Sequence, residues 1–178
     1  MTADSIHVGL QQLLDKQAIA EVLYGYCRGC DRADEAALRA SFHPESRHRH
    51  GGFVGSSTDF VTLAMRIIHG TKRAKHLLTN VMIELRGDQA LSESHYFAYH
   101  RQVDAHSGAE QDYFTGGRFL DRFERRSEQW KIIERVGLID FEQHLPADAQ
   151  SQLTEPVLSQ RYPADELYRR FMFGTQGQ

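Results

Sequence analysis

The chain has 178 residues, 40% of them hydrophobic and 10% aromatic, which suffices for one domain with a real core. A formal net charge of -3 argues against a nucleic-acid binder, and no apolar run is long enough for a membrane-spanning helix. The opening MTADSIHVGL lacks a basic region followed by an apolar block, so the expectation is a cytoplasmic protein without a signal peptide, its two cysteines reduced.

The first third reads helical. From Val8 to Cys30, apolar residues fall at Leu10, Leu13, Leu14, Ile19, Val22, Leu23, Tyr26 and Cys27, the three- and four-residue steps of one buried stripe. Asp34 is placed to cap a short helix that must stop before Pro44. RHRHGGFVG reads as a short strand and turn around Gly51-Gly52. Ser56 and Asp59 have capping-box spacing ahead of FVTLAMRIIHG, where Phe60, Ala64 and Ile68 share a face and Gly70 is a helix stop. The period then changes. KHLLTNVMIEL, ALSESHYFAYHRQV, YFTGGRFLDRFE and WKIIERVGLIDFEQHL read as four consecutive strands joined by turns.

Helices first and a sheet afterwards predict an α+β fold, a curved antiparallel sheet with helices on its concave side and a pocket between them. Residues 1–144 would form that domain. The polar stretch 145–178 would be an extension carrying one short amphipathic helix, ADELYRRFMF, and a loose end.

Both cysteines lie in GYCRGCDRAD. A structural zinc site needs four ligands and there is no second pair, while a thioredoxin-like motif would follow a strand. Here the motif ends a helical stripe, so Cys27 and Cys30 read as packing residues. Asp31 has two readings: a solvated loop aspartate, or a buried carboxylate, which must then be paired. Ten histidines are many for this length. His48 and His50 share one strand face and Arg47 and Arg49 the other, with His43 nearby, but no carboxylate or cysteine completes a metal site. His95 and His100 point to opposite faces of a regular strand, so at most one enters a pocket.

Several motifs together carry a resemblance. The first helix ends in YCRGCD, a short helix leads to His-Pro, a strand opens as AKHLLTNVMIEL, and GGRFLDRFERRSEQWKIIER follows. Over roughly residues 8–144 this resembles the SnoaL-like branch of the nuclear-transport-factor-two-like, or cystatin-like, superfamily. Within it the chain is similar to the small cofactor-independent lyases of the scytalone dehydratase, bile-acid 7α-dehydratase and hexachlorocyclohexane dehydrochlorinase types.

The resemblance implies an aspartate at the end of the first helix paired with a histidine early in the sheet, here Asp31 and His76. It implies a tyrosine five residues before the aspartate, here Tyr26. Where the dehydratases carry a tyrosine on the first strand, this chain has His50. His100 is the nearest match to a second pocket histidine, and no dehydrochlorinase-like arginine stands between Val136 and Phe141. Asn80, His100 and Asp140 are polar candidates for the pocket wall.

The implied function is a cofactor-independent dehydratase or isomerase acting on a small apolar or polycyclic ligand. An aspartate on one ring nitrogen fixes the histidine tautomer and leaves the other nitrogen to accept a proton. Bland alternatives stand beside each residue: His76 as a satisfied core histidine, Tyr26 as a continuation of the apolar stripe. Two competing functions have the same fold: a ligand-binding protein without turnover, favoured if Asp31 pairs with Arg28 or Arg32, and an assembly subunit resembling the small subunit of ring-hydroxylating dioxygenases. Apolar residues on both faces of the strands, Phe114 and Leu120 against Tyr113, Phe119 and Phe123, predict a homo-oligomer. The lyase resemblance implies a trimer, the wider superfamily a dimer.

Overall fold

The computed structural model describes residues 2–147 and 159–168. Helix α1 spans Ala3–Arg32 and α2 spans Glu35–Ala40. Strands β1, Phe42–His50, and β2, Phe53–Ser56, form the hairpin around Gly51-Gly52. Helix α3 covers Ser57–Gly70, and β3 (Arg73–Arg86), β4 (Gln89–Val103), β5 (Glu110–Arg126) and β6 (Gln129–Pro146) follow.

The six strands form one sheet in the order β2-β1-β6-β5-β4-β3. Strands β3 to β6 pair antiparallel in sequence order, because short turns join them. Strand β1 pairs parallel with β6, so the curved sheet of the α+β fold is mixed rather than wholly antiparallel. Local sequence does not show this, since the partners are some ninety residues apart. Helix α2 stops before Pro44, as expected, and Pro44 lies inside β1, in the stretch between Phe42 and Arg47 where the register with β6 shifts and no ladder bond from its nitrogen is required.

The last turn of α1 is built for close approach. Ala33 takes the left-handed conformation, φ 52°, and its N–H returns to the helix carbonyls. Asp34 accepts from the Ala37 N–H at 3.0 Å and so starts α2. At Gly29 a Cβ would sit 2.9 Å from the Leu38 nitrogen, so only glycine lets α2 fold back this tightly. The core is formed by Ile19, Leu23 and Tyr26 of α1, Val61, Met65 and Ile68 of α3, and the inward faces of the sheet, including Phe119, Phe123 and Ile132.

Two bulges decide which strand residues face inward. Between Thr79 and Met82 the β3–β4 register shifts, and Asn80 adopts φ 50°. Between Ile139 and Phe141, Asp140 is the extra residue opposite Gly116-Gly117. Of the extension, Leu145 and Pro146 still belong to β6, and residues 159–168 pack back on the end of α1. The Tyr162 N–H donates to the Arg32 carbonyl at 2.7 Å, and buried Asp165 lies 3.4 Å from Arg32 Nε. The second half of the expected helix ADELYRRFMF, from residue 169 on, lies outside the described residues.

Candidate active site

A carboxylate in the last turn of a helix opposes the negative end of the helix dipole. Asp31 occupies that position with its side chain buried, so it needs compensation, and β3 supplies it. The carboxylate oxygen Oδ1 accepts from the His76 backbone N–H at 2.8 Å and meets His76 Nδ1 at 2.8 Å. Strand β3 is the sheet edge, and this amide would otherwise lack a partner strand. The Lys75 ammonium stands 3.8 Å from Oδ2. Asp31 is therefore the paired, buried carboxylate and not the solvated one, and it ties α1 to the edge strand.

His76 lines a cavity of about 340 Å³ between α1, α3 and the concave sheet. With Nδ1 held by Asp31, Nε2 is the ring nitrogen left to the cavity. Phe60, Ile68, Phe119 and Ile139 make most of the wall apolar, with Tyr26, His50, His100, Tyr96 and Tyr113 as polar points.

Of the residues singled out from sequence, Asp31, His76, Tyr26, His50 and His100 come together here. Asn80 and Asp140 do not: both are exposed and sit at the two bulges, where the inward-outward alternation breaks. His95 lies on the other face beside Glu93, as the strand period requires. His43 is buried with Nε2 3.0 Å from the Glu124 carbonyl oxygen.

The neighbouring titratable groups are held neutral. Burial lowers the pKa of His50 and of His100 to about 4, with smaller pushes from the Arg135 charge and then His76 on His50, and from His76 on His100. The His100 ring lies 5.2 Å from that of His76. Burial raises the Tyr26 hydroxyl well above its ordinary value, so it stays a proton-bearing donor. Cys27 and Cys30 are free and buried. Desolvation pushes Cys27 up to about 12 and Cys30 higher still, so neither presents a reactive thiolate.

Sequence reasoning missed one residue. Arg135, fully buried, stacks its guanidinium between the rings of Tyr26, at 4.2 Å, and Phe119, at 4.1 Å. It donates to both oxygens of buried Asp121, at 2.7 and 2.8 Å. An arginine thus stands behind the Tyr26 and Phe119 rings that line the cavity, one residue before the Val136–Phe141 window. The signal was Asp121 between Phe119 and Phe123 on one apolar strand face, which calls for a buried cation opposite.

Residues 11–136 match the SnoaL-like domain. The chain belongs to the SnoaL-like domain family. The solved structures it resembles include a type 3 hexachlorocyclohexane dehydrochlorinase from Novosphingobium barchaimii, at 17% identity and a TM-score of 0.70 over 83% of this chain and 99% of that one. A scytalone dehydratase candidate from Novosphingobium aromaticivorans superposes with a TM-score of 0.66 at 19% identity, covering 82% and 95%. A protein of unknown function with a cystatin-like fold from Nostoc punctiforme gives 0.58 at 18%, covering 71% and 92%. At such identities the likeness is one of fold. No curated protein matches the chain.

Proposed function

We propose that this SnoaL-like protein is a cofactor-independent lyase of the dehydratase type, or an isomerase, acting on a small, largely apolar cyclic substrate. The observation that carries the reading is the 2.8 Å contact between Asp31 Oδ1 and His76 Nδ1 at the wall of an apolar cavity. His76 Nε2 removes a proton from a carbon next to a carbonyl or similar activating group. Asp31 holds the tautomer and stabilises the imidazolium that forms. The C–H electrons become the new double bond, the C–O bond breaks, and the departing hydroxide takes a proton to leave as water. If the proton returns to another carbon, the product is an isomer.

Tyr26 donates to the substrate oxygen or the leaving group, and neutral His50 and His100 are further polar contacts. The dehydrochlorinase and dehydratase names among the similar folds are compatible with such eliminations. The binding-only alternative would be favoured by Asp31 paired with Arg28 or Arg32. Arg32 is instead paired with Asp165, which supports the catalytic reading.

The test is a panel of ring-hydroxylated and β-hydroxy carbonyl compounds in deuterium oxide, followed by NMR for alkene formation or deuterium uptake at carbon. His76→Ala and Asp31→Asn are expected to lower the rate about a hundred- to ten-thousand-fold with circular dichroism unchanged. Retained turnover in either variant refutes the role of that residue.

The assembly is proposed to be a homo-oligomer, a trimer in preference to a dimer. Support comes from the convex sheet face. It carries a groove of about 560 Å³ lined by Met82, Leu91, Leu120 and Val136, with Met82 71% exposed.

A further inference from the structure

The end of α1 is held by a part of the chain that lies beyond the matched domain. Residues 159–168 return there and bridge the two helices that enclose the cavity. The Tyr162 N–H donates at 2.7 Å to the Arg32 carbonyl, which has no acceptor role left inside its own helix. The Arg161 guanidinium donates to the carbonyl and, at 3.0 Å, to the hydroxyl of Thr71 at the end of α3. Asp165, 7% exposed, lies 3.4 Å from Arg32 Nε, which is itself buried. The Asp165 carboxylate is fixed by the backbone N–H groups of Gln160, at 2.9 Å, and Leu167, at 3.1 Å.

Arg32 directly follows Asp31. Both line a cationic cleft between the end of α1, the start of β3 and residues 159–161, together with Lys72, Lys75 and Arg161. A guanidinium can bind a carboxylate through two parallel N–H donors, whereas the His76 ring offers Asp31 one. An unengaged Arg32 would therefore compete strongly for Asp31. Lys75 competes less, because it is more than half exposed and stands 3.8 Å from Oδ2, leaving Oδ1 to His76. Asp165 is the ion-pair partner of Arg32 among the described residues. When one member of a buried pair is removed, the other charge is left uncompensated. Asp31 is the carboxylate that shares the cleft with that charge.

We infer that Asp165 is a positioning residue of the active site: it holds the Arg32 guanidinium and so keeps the Asp31 carboxylate for His76. The inference rests on the Asp31–His76 pair proposed as the base, and makes that pair depend on the chain beyond β6. Asp165 does not line the cavity, and acts through Arg32.

Nitrogen-15 NMR of the His76 ring reads the geometry, and turnover of a compound from the substrate panel reads the consequence. In the parent protein His76 is expected to carry a proton on Nδ1, donated to Asp31. Asp165→Asn is expected to shrink the Nδ1–H signal and to lower kcat about tenfold with KM within about twofold, as for loss of one charge-assisted hydrogen bond. Arg32→Gln breaks the same ion pair but leaves no competitor, so the signal and kcat should stay near those of the parent. Asp165→Asn combined with Arg32→Gln should recover both. Asp165→Ser, which keeps an acceptor for the turn, takes the place of Asp165→Asn if that variant does not fold. Equal losses from Asp165→Asn and Arg32→Gln would mean that the pair merely anchors the extension, and overturn the inference. An unchanged signal in Asp165→Asn, or no recovery in the double variant, overturns it as well. A parent protein without the Nδ1–H signal has no dyad, and the inference and the catalytic reading fall together. The expected pattern of signals, with no turnover of any panel compound by the parent, sinks only the catalytic reading.

Discussion

Arg135 and His48 show how far single residues are committed to this interior. The Arg135–Asp121 pair is wholly buried, and taking one partner away strands the other charge. Arg135→Met is expected to cost about 3–5 kcal/mol in urea unfolding, and the double change with Asp121→Leu to recover most of it. His48 is also buried, stacked on Phe60 at a 3.5 Å ring separation, with neither ring nitrogen hydrogen-bonded. Desolvation, then the Arg135 charge, lowers its pKa to about 2. His48, His50 and His100 therefore bind a proton more weakly folded than unfolded. Their contribution to stability is complete above the ordinary value of 6.5 and is lost as pH falls from there, down to about 4 for His50 and His100 and to about 2 for His48. His48→Phe should raise the melting temperature at pH 7.5. It should also remove about 2 kcal/mol of the stability lost on going to pH 5. An unchanged pH slope would show that His48 is not held neutral.

At the scale of elements, the turn from α1 into α2 sets the position of Asp31. Ala33 is a non-glycine residue at a left-handed position, which costs about 1 kcal/mol or more. Ala33→Gly is expected to stabilise by about that amount, read by thermal unfolding. Gly29→Ala should do the reverse by about 1–3 kcal/mol, since its methyl would press on the α2 backbone. It should also lower turnover by displacing Asp31 from β3. A stable Gly29→Ala protein with full activity would contradict this coupling. The β5–β6 bulge depends on another close approach. A Cβ on Gly117 would fall 1.9 Å from the Leu138 carbonyl oxygen, so the strand bends here only because that position is glycine.

For the whole molecule, the sheet separates two surfaces with different tasks. Its concave side meets the helices and encloses the cavity. Its convex side leaves Met82, Leu91, Phe97, Leu120 and Phe141 between 36% and 71% exposed. Covering that face with further copies of the chain would remove the exposed apolar area. Sedimentation velocity is expected to find a species larger than the monomer, and Met82→Glu with Leu120→Glu to shift it toward the monomer. A monomeric parent protein would refute the assembly.

By itself the sequence determined the order of elements, the α+β class and the pairing of consecutive strands, because each rests on local period, capping residues and short turns. The family motifs marked Asp31, His76 and Tyr26, whose spacing along α1 and whose place at the start of β3 are local facts. Tertiary structure decided the rest. The parallel β1–β6 pairing and the burial of Asp31 against β3 join segments distant in the chain. No local pattern encodes those contacts. The two bulges turned Asn80 and Asp140 away from the cavity, because one extra residue reverses a period of two. The cationic cleft forms only where residues 159–161 return to α1, a contact that exists after folding and not before it.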